Sequence, residues 1–241
     1  MIFLRSLVFN ICFFCWAILA SVLFSPLFII STATAMNAGR PWALGVLLLA
    51  KYILGLTYEV RGQQYLTYQP VIYASKHQSA WDTVIFLVLL RAPAYVLKRE
   101  LLRIPGWGWY LWRMQMIAID RSAGASSMKR LIAQSKNALT NYRSIVIYPE
   151  GTRTQPGATP HYHPGIVALY SMLHVPVVPV ALNSGCYWGK NAFHKRPGNI
   201  VLEFLPPIDP GLSKTEFMST LQTVIETAST RLIAEAEQKK G

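Results

Sequence analysis

The sequence predicts an α/β fold: a mostly parallel central sheet flanked by helices, with an N-terminal hydrophobic two-helix membrane anchor. Three observations predict it. The chain opens on an apolar stretch, residues 6–36, that carries no charge. From about Gln69 onward, short β-rich runs alternate with helical stretches, as in sheets built from crossover units. Charged and polar residues collect directly behind those runs, where ligands sit in open α/β sheets.

Taken in chain order, residues 6–36 suffice to cross a hydrocarbon layer of roughly 30 Å at about 1.5 Å per residue. Pro26 is expected to kink or break that segment. A polar turn over residues 37–41 then leads to a second apolar stretch, 42–56, interrupted by Lys51. The expected result is a membrane-embedded helical hairpin over residues 1–58, followed by a catalytic domain over 59–241. A cleaved signal peptide, with Arg5 in front and Ala33-Thr34-Ala35 as cleavage site, is the alternative. It is disfavoured because a signal core is usually only about 7 to 15 apolar residues.

Candidate strands are 70–75, 94–97, 116–119, 144–148, 177–182 and 200–205, each apolar and bounded by turn or polar residues. A helix is expected over 127–142, with Met128, Leu131, Ile132, Ala138, Leu139 and Tyr142 on one face and Ser126 or Ser127 as cap. Another should begin after Ser213, three residues ahead of Glu216 in the spacing of a capping box. Between Leu101 and Met116, Trp107, Trp109, Tyr110 and Trp112 interleave with Arg103 and Arg113. That mixture suits lipid headgroup depth and ordinary aromatic packing equally.

Composition agrees with a membrane setting. Hydrophobic residues make up 52% of the 241 and charged ones 14%, against about 25% charged in an ordinary soluble domain. Lys and Arg outnumber Asp and Glu by 23 to 11, for a net charge of +12. An anionic partner follows. The apolar start and the lack of a Lys/Arg run or stacking platform point to an anionic membrane, with no nucleic acid. Cys12 and Cys15 sit within the apolar run and Cys186 stands apart, so no disulfide framework is expected.

The residues behind the strands form a coherent chemical set. They are Lys76-His77-Gln78-Ser79-Ala80-Trp81-Asp82, then Lys98, then Asp120-Arg121, then Pro149-Glu150-Gly151-Thr152-Arg153. If a helix starts at Gln78 or Ser79, Asp82 in its first turn can reach back to the His77 imidazole. A carboxylate on one ring nitrogen fixes the tautomer and leaves the other nitrogen free to accept a proton. An isolated pair at this spacing is more often a helix-capping Asp beside an unrelated His. Two guanidinium groups at neighbouring strand ends shift that balance, because their planar forks suit phosphate. Lys98 adds a point charge, Gly151 permits close backbone approach, Thr152 offers a donor, and Glu150 is expected to orient the cations. His161 and His163 lack a neighbouring carboxylate or Cys, so no metal site is expected.

These residues resemble the glycerolipid acyltransferase family, typified by 1-acyl-sn-glycerol-3-phosphate acyltransferases. Residues 76–82 match an H-x-x-x-x-D block, 116–121 a second block ending in Arg, 148–153 a P-E-G-T-R block, and 175–182 a V-P-V-V-P-V-type block. The resemblance covers about residues 58–205. It implies transfer of a fatty acyl group from acyl-CoA or acyl-carrier protein to the sn-2 hydroxyl of lysophosphatidic acid, without metal or cofactor. By position, His77 is the base and Asp82 its partner. Arg121, Glu150, Gly151, Thr152 and Arg153 hold the acceptor phosphate, with Lys98 assisting. It also implies a bacterial-type inner membrane, with the catalytic domain facing the cytoplasm.

Three positions depart from the family pattern and bear on acceptor choice: Lys76 where Asn is common, His161-Tyr162-His163 where a Lys-containing loop is usual, and Gln115 where a small residue is frequent. Another lysolipid, such as lyso-ornithine lipid, is therefore an alternative acceptor. A non-enzymatic lipid-binding protein is a second alternative. A hydrolase is disfavoured because no G-x-S-x-G elbow is present.

Overall fold

The computed structural model describes residues 1–120, 124–158 and 160–238. Its sheet has seven strands in the order β1-β7-β6-β2-β5-β3-β4. These are β1 (Leu56–Arg61), β2 (Ile72–Ser75), β3 (Ala94–Lys98), β4 (Ile117–Ile119), β5 (Ile145–Ile147), β6 (Val177–Leu182) and β7 (Gly198–Phe204). The β6–β7 pair is antiparallel and the other five pairs are parallel. The expectation of a mostly parallel α/β sheet therefore holds. Strand β1 was not expected, because Glu59 and Arg61 break its apolar pattern; it spans the boundary expected at residue 58.

Side chains alternate across the sheet, as the period of two requires. Tyr73, Val146, Val178 and Leu202 face one core, which also takes in Trp81, Ile85 and Phe86. Ile72, Ala74, Ile145 and Val177 face the other, with Leu131, Ile166, Leu169, Phe217 and Leu221. Helices α1 (Ile2–Ile30), α2 (Thr32–Leu49), α3 (Trp81–Leu89) and α4 (Trp107–Arg113) serve the first face. Helices α5 (Gly124–Thr140), α6 (Gly165–Leu173) and α7 (Lys214–Gln238) serve the second.

The hairpin turns earlier than expected. Residues 37–41 are helical, and α1 continues to Ile30 past Pro26. The reversal is at Ser31, in an extended conformation, where the Ser31 hydroxyl accepts from Thr34 N and Thr34 Oγ1 accepts from Ser31 N, each at 3.1 Å. This reciprocal cap satisfies two orphan donors at once, which polar composition at 37–41 did not reveal. Gly45 lets the Trp16 ring lie against α2, where a Cβ would meet it at 2.3 Å. The α2 face carrying Ala35, Ala38, Ala43 and Val46 is buried in the first core.

Two helix ends also differ. Helix α5 starts at Gly124, so Ser127 lies inside it, and Tyr142 falls beyond its end, exposed at φ +54°. The Ser213–Glu216 box forms as expected: Ser213 N donates to Glu216 Oε2 at 3.0 Å and Glu216 N to Ser213 Oγ at 3.3 Å.

Candidate active site

The parallel strands deliver their carboxyl ends to one edge, and the site is built there. Helix α3 begins at Trp81 rather than at 78 or 79, leaving residues 76–80 as a loop that folds over Asp82. Asp82 Oδ2 accepts from Gln78 N at 2.7 Å, Ser79 N at 2.8 Å and His77 Nδ1 at 3.0 Å. Its Oδ1 accepts from Ser184 Oγ at 2.6 Å. The carboxylate is fully buried while the His77 side chain keeps 13% exposure. An ionised carboxylate can only accept, so Nδ1 carries the proton and Nε2 has the basic lone pair. The imidazole stacks on Tyr148 at 4.0 Å between centroids, and Tyr148 donates its hydroxyl to Asp82 O at 3.0 Å. Burial raises the Tyr148 phenol well above its ordinary range, with smaller contributions from Tyr95 and Asp82, so it stays a neutral donor.

The loop behind β5 grips the same histidine from the other side. Glu150 Oε2 accepts His77 N at 2.8 Å, and Glu150 Oε1 lies 2.8 Å from Lys76 Nζ and accepts Thr154 Oγ1 at 2.9 Å. Thr154 N donates to His77 O at 2.8 Å. Lys76 Nζ also meets Glu226 of α7 at 2.7 Å, and Tyr162 donates its hydroxyl to Glu226 at 2.8 Å. Gly151 takes φ +66°, a left-handed conformation that favours glycine in this tight loop.

The sequence pattern grouped Glu150 with the phosphate-binding residues; in the fold its buried oxygens are taken up by His77 N, Thr154 Oγ1 and Lys76 Nζ. Lys76 is likewise 2% exposed and engaged in ion pairs. Burial pushes the Glu150 carboxyl above its ordinary value, opposed by Lys76, Thr154 and the His77 N–H.

His77 opens onto a cavity of about 840 Å³, which Lys98, Gly151, Thr152 and Arg153 also line. Arg153 Nη2 donates to Asn191 Oδ1 at 3.1 Å. Arg121 lies outside the described residues. Most of the remaining wall is apolar and comes from distant segments: Phe24 of α1, Gly39 and Trp42 of α2, and Trp107, Tyr110 and Met114. The aromatic segment is packed in part and exposed in part. Trp107 packs on Trp42 and Tyr110 donates to Ser21 O at 2.6 Å, whereas Trp112 is 62% exposed. Among the described residues, no cluster of three or more ligating side chains could hold a metal.

Ser184 and Tyr148 contribute to the site although no role is expected for either from the sequence pattern. Ser184 carries a positional signal of the same kind, lying two residues behind β6, whereas Lys76 directly follows β2. Tyr148 reads in sequence as the last apolar residue of a strand.

A family model described as Acyltransferase matches residues 57–183. The chain is 38% identical over 159 residues to a 1-acyl-sn-glycerol-3-phosphate acyltransferase of Pseudomonas aeruginosa, covering 66% of this chain and 62% of that one. It is 31% identical to a protein of the same name from Limnanthes douglasii, covering 67% and 58%. The chain therefore spans about three-fifths of the length of these relatives. The alpha form from Mus musculus is 28% identical over 80% of this chain and 68% of its own. In fold, the chain is similar to the crystal structure of the 1-acyl-sn-glycerophosphate acyltransferase of Thermotoga maritima. That likeness has a TM-score of 0.74 at 22% identity, covering 96% of this chain and 98% of the other.

Proposed function

Since the chain belongs to the acyltransferase family, we propose that it transfers a fatty acyl group from acyl-CoA or acyl-carrier protein to the sn-2 hydroxyl of 1-acyl-glycerol-3-phosphate, forming phosphatidic acid. One observation carries this reading. His77 is held by Asp82 through Nδ1, leaving Nε2 without a protein partner among the described residues, at the mouth of an apolar cavity edged by Lys98, Thr152 and Arg153. An apolar cavity edged by cations supports the reading, because a long acyl chain and an anionic head are the two ends of one lipid.

In the proposed reaction, His77 Nε2 takes the proton of the lipid hydroxyl as its oxygen attacks the thioester carbonyl. The Asp82 carboxylate, with its other hydrogen bonds satisfied, stabilises the imidazolium that forms. As the tetrahedral intermediate collapses, the C–S bond breaks and His77 returns the proton to the leaving thiolate. A C–O ester has replaced the thioester and the base is regenerated. Arg153, Lys98 and, by the family pattern, Arg121 hold the phosphate throughout.

The placement proposed is the cytoplasmic face of a bacterial-type inner membrane, where acyl thioesters are made. Residues 2–27 of α1 are long and apolar enough to cross a membrane, and little of that stretch is buried. Lyso-ornithine lipid remains the second acceptor to test, because His163 lines the cavity where the family pattern carries a lysine-containing loop. The test is His77→Ala in purified membranes given labelled acyl-CoA and lysophosphatidic acid. Turnover should fall at least about 10²-fold while lipid binding persists. Turnover at the wild-type rate would remove His77 as the base.

A further inference from the structure

The loop between β6 and β7 reaches both the site and α1, and the family motifs assign it no role. At its tip the exposed Lys190 ammonium lies 3.5 Å from Thr152 Oγ1. The next residue, Asn191, holds Arg153 from a left-handed backbone at φ +55°. That conformation is unusual for non-glycine residues but several-fold enriched in Asn. Among the described residues, neither Lys190 nor Arg153 pairs with a carboxylate. Arg153 and Thr152 line the cavity onto which His77 opens and Lys190 stands next to Thr152, so two uncompensated cations beside a hydroxyl form an arrangement that an anion with several acceptor oxygens would complete.

The other end of the loop is fastened to the apolar helix. Lys195 is 4% exposed. Its ammonium donates to Asn10 Oδ1 of α1 at 2.9 Å, to Phe193 O at 3.2 Å and to Ala192 O at 3.4 Å. It also sits over the rings of Trp188 at 5.2 Å and Phe9 at 5.4 Å. Its backbone N donates to Ser6 Oγ at 2.9 Å. Burying an ammonium with no carboxylate partner is costly and lowers its proton affinity, as burial does here. A lysine that merely covered surface would keep its head in water. The bonds Ala192 N to Gly189 O at 3.2 Å and Arg196 N to Tyr187 O at 2.8 Å close the intervening turn, so the backbone that carries Lys190 and Asn191 is tied to the backbone at Lys195.

We infer that residues 189–196 form a headgroup clamp: Lys190 binds the acceptor's phosphomonoester beside Arg153, and Lys195, latched to Asn10 and Ser6 of α1, is the positioning residue that sets the clamp. This rests on the acyl-transfer reading for the identity of the ligand. The membrane helix would then do more than anchor, because its first turns place the cation that meets the lipid head.

The test uses the full-length enzyme in detergent micelles, with kcat and separate KM values for lysophosphatidic acid and acyl-CoA. Binding of lysophosphatidic acid is measured in parallel in the His77→Ala background. Lys190→Ala should raise the acceptor KM and weaken binding about tenfold, with kcat and the donor KM within about twofold. Lys190→Arg should restore most of the loss. Asn10→Ala should raise the acceptor KM in the same way, and Asn10→Ala with Lys190→Ala should be no worse than Lys190→Ala alone. An unchanged acceptor KM and binding constant in Lys190→Ala would overturn the proposal. So would a rise confined to the donor KM, which would assign Lys190 to the thioester carrier, or a fully additive double variant, which would break the latch. Wild-type enzyme that bound lysophosphatidic acid through Lys190 but never acylated it would sink the acyl-transfer reading and spare the clamp.

Discussion

Asp82 accepts four hydrogen bonds on two oxygens with no exposure to solvent, so each bond removed is felt at His77. Asp82→Asn would set an amide NH2 against donors or turn the His77 tautomer over. We expect kcat to fall about 10²- to 10⁴-fold with little change in KM. Ser184→Ala leaves Oδ1 buried without its donor, a cost of about 1–3 kcal/mol to that group. Turnover in that variant should drop by roughly tenfold while Asp82 still holds the ring. Steady-state kinetics on both variants, with circular dichroism confirming the fold, would check the ranking. At this scale the pair was legible because a spacing of five fits a short loop followed by a first helical turn. Ser184 is 102 residues from Asp82, and no local pattern announces a contact that only strand order creates. Glu150 shows the same limit: a carboxylate between arginines in sequence reads as their partner, yet the fold turns it inward to Lys76.

Between elements, the Lys76 ammonium joins the loop behind β2, the loop behind β5 and helix α7 through Glu150 and Glu226. Removing one partner of a buried ion pair strands the other charges, which costs about 3–5 kcal/mol. Lys76→Met should therefore lower the unfolding free energy by about 3–5 kcal/mol, whereas substituting a single exposed lysine elsewhere would change it by under about 0.5 kcal/mol. Chemical denaturation in detergent would measure both. Glu150 adds a pH signature. Its carboxyl titrates above its unfolded value in the folded chain, so its contribution is fully present below the unfolded value and is lost as pH rises through the folded one. Glu150→Gln has no such titration. The stability difference, wild type minus variant, should therefore decline as pH rises through that window, and a flat difference would contradict the assigned burial. The strands behind these loops were readable because parallel strands buried on both faces give unbroken apolar runs. Strand β1 was not, since an edge strand half open to water carries Glu59 and Arg61. The hairpin reversal was misplaced because Ser31 and Thr34 act through mutual capping rather than through composition.

For the molecule as a whole, the N-terminal hairpin is a wall of the cavity as well as the proposed anchor. Ala35, Ala38, Ala43 and Val46 are almost wholly buried in the same core as Tyr73, Trp81 and Phe86, and Phe24, Gly39 and Trp42 line the cavity. The opposite surface of α1 is different in kind, with Leu19, Val22 and Leu23 about 60% exposed or more. One helix pair therefore has a buried face and an exposed apolar face, and the membrane role proposed for the second can be tested by substitution. Deleting residues 1–55 should not release a soluble enzyme. It would uncover Tyr73, Trp81 and Phe86 on one face of the sheet, and each large apolar side chain so exposed loses about 1.5–3 kcal/mol from a stability of about 5–15 kcal/mol. Changing Leu19, Val22 and Leu23 together to Ser leaves the core intact. That variant should keep its turnover in detergent micelles and its cooperative melt, while its partition onto anionic vesicles falls at least about tenfold, since each apolar side chain withdrawn from lipid forfeits about 1.5–3 kcal/mol. Vesicle sedimentation beside a micellar assay measures the two properties independently. A truncated chain that folded and turned over in water, or a serine variant still held on vesicles, would show that the hairpin's two faces do not divide the work in this way.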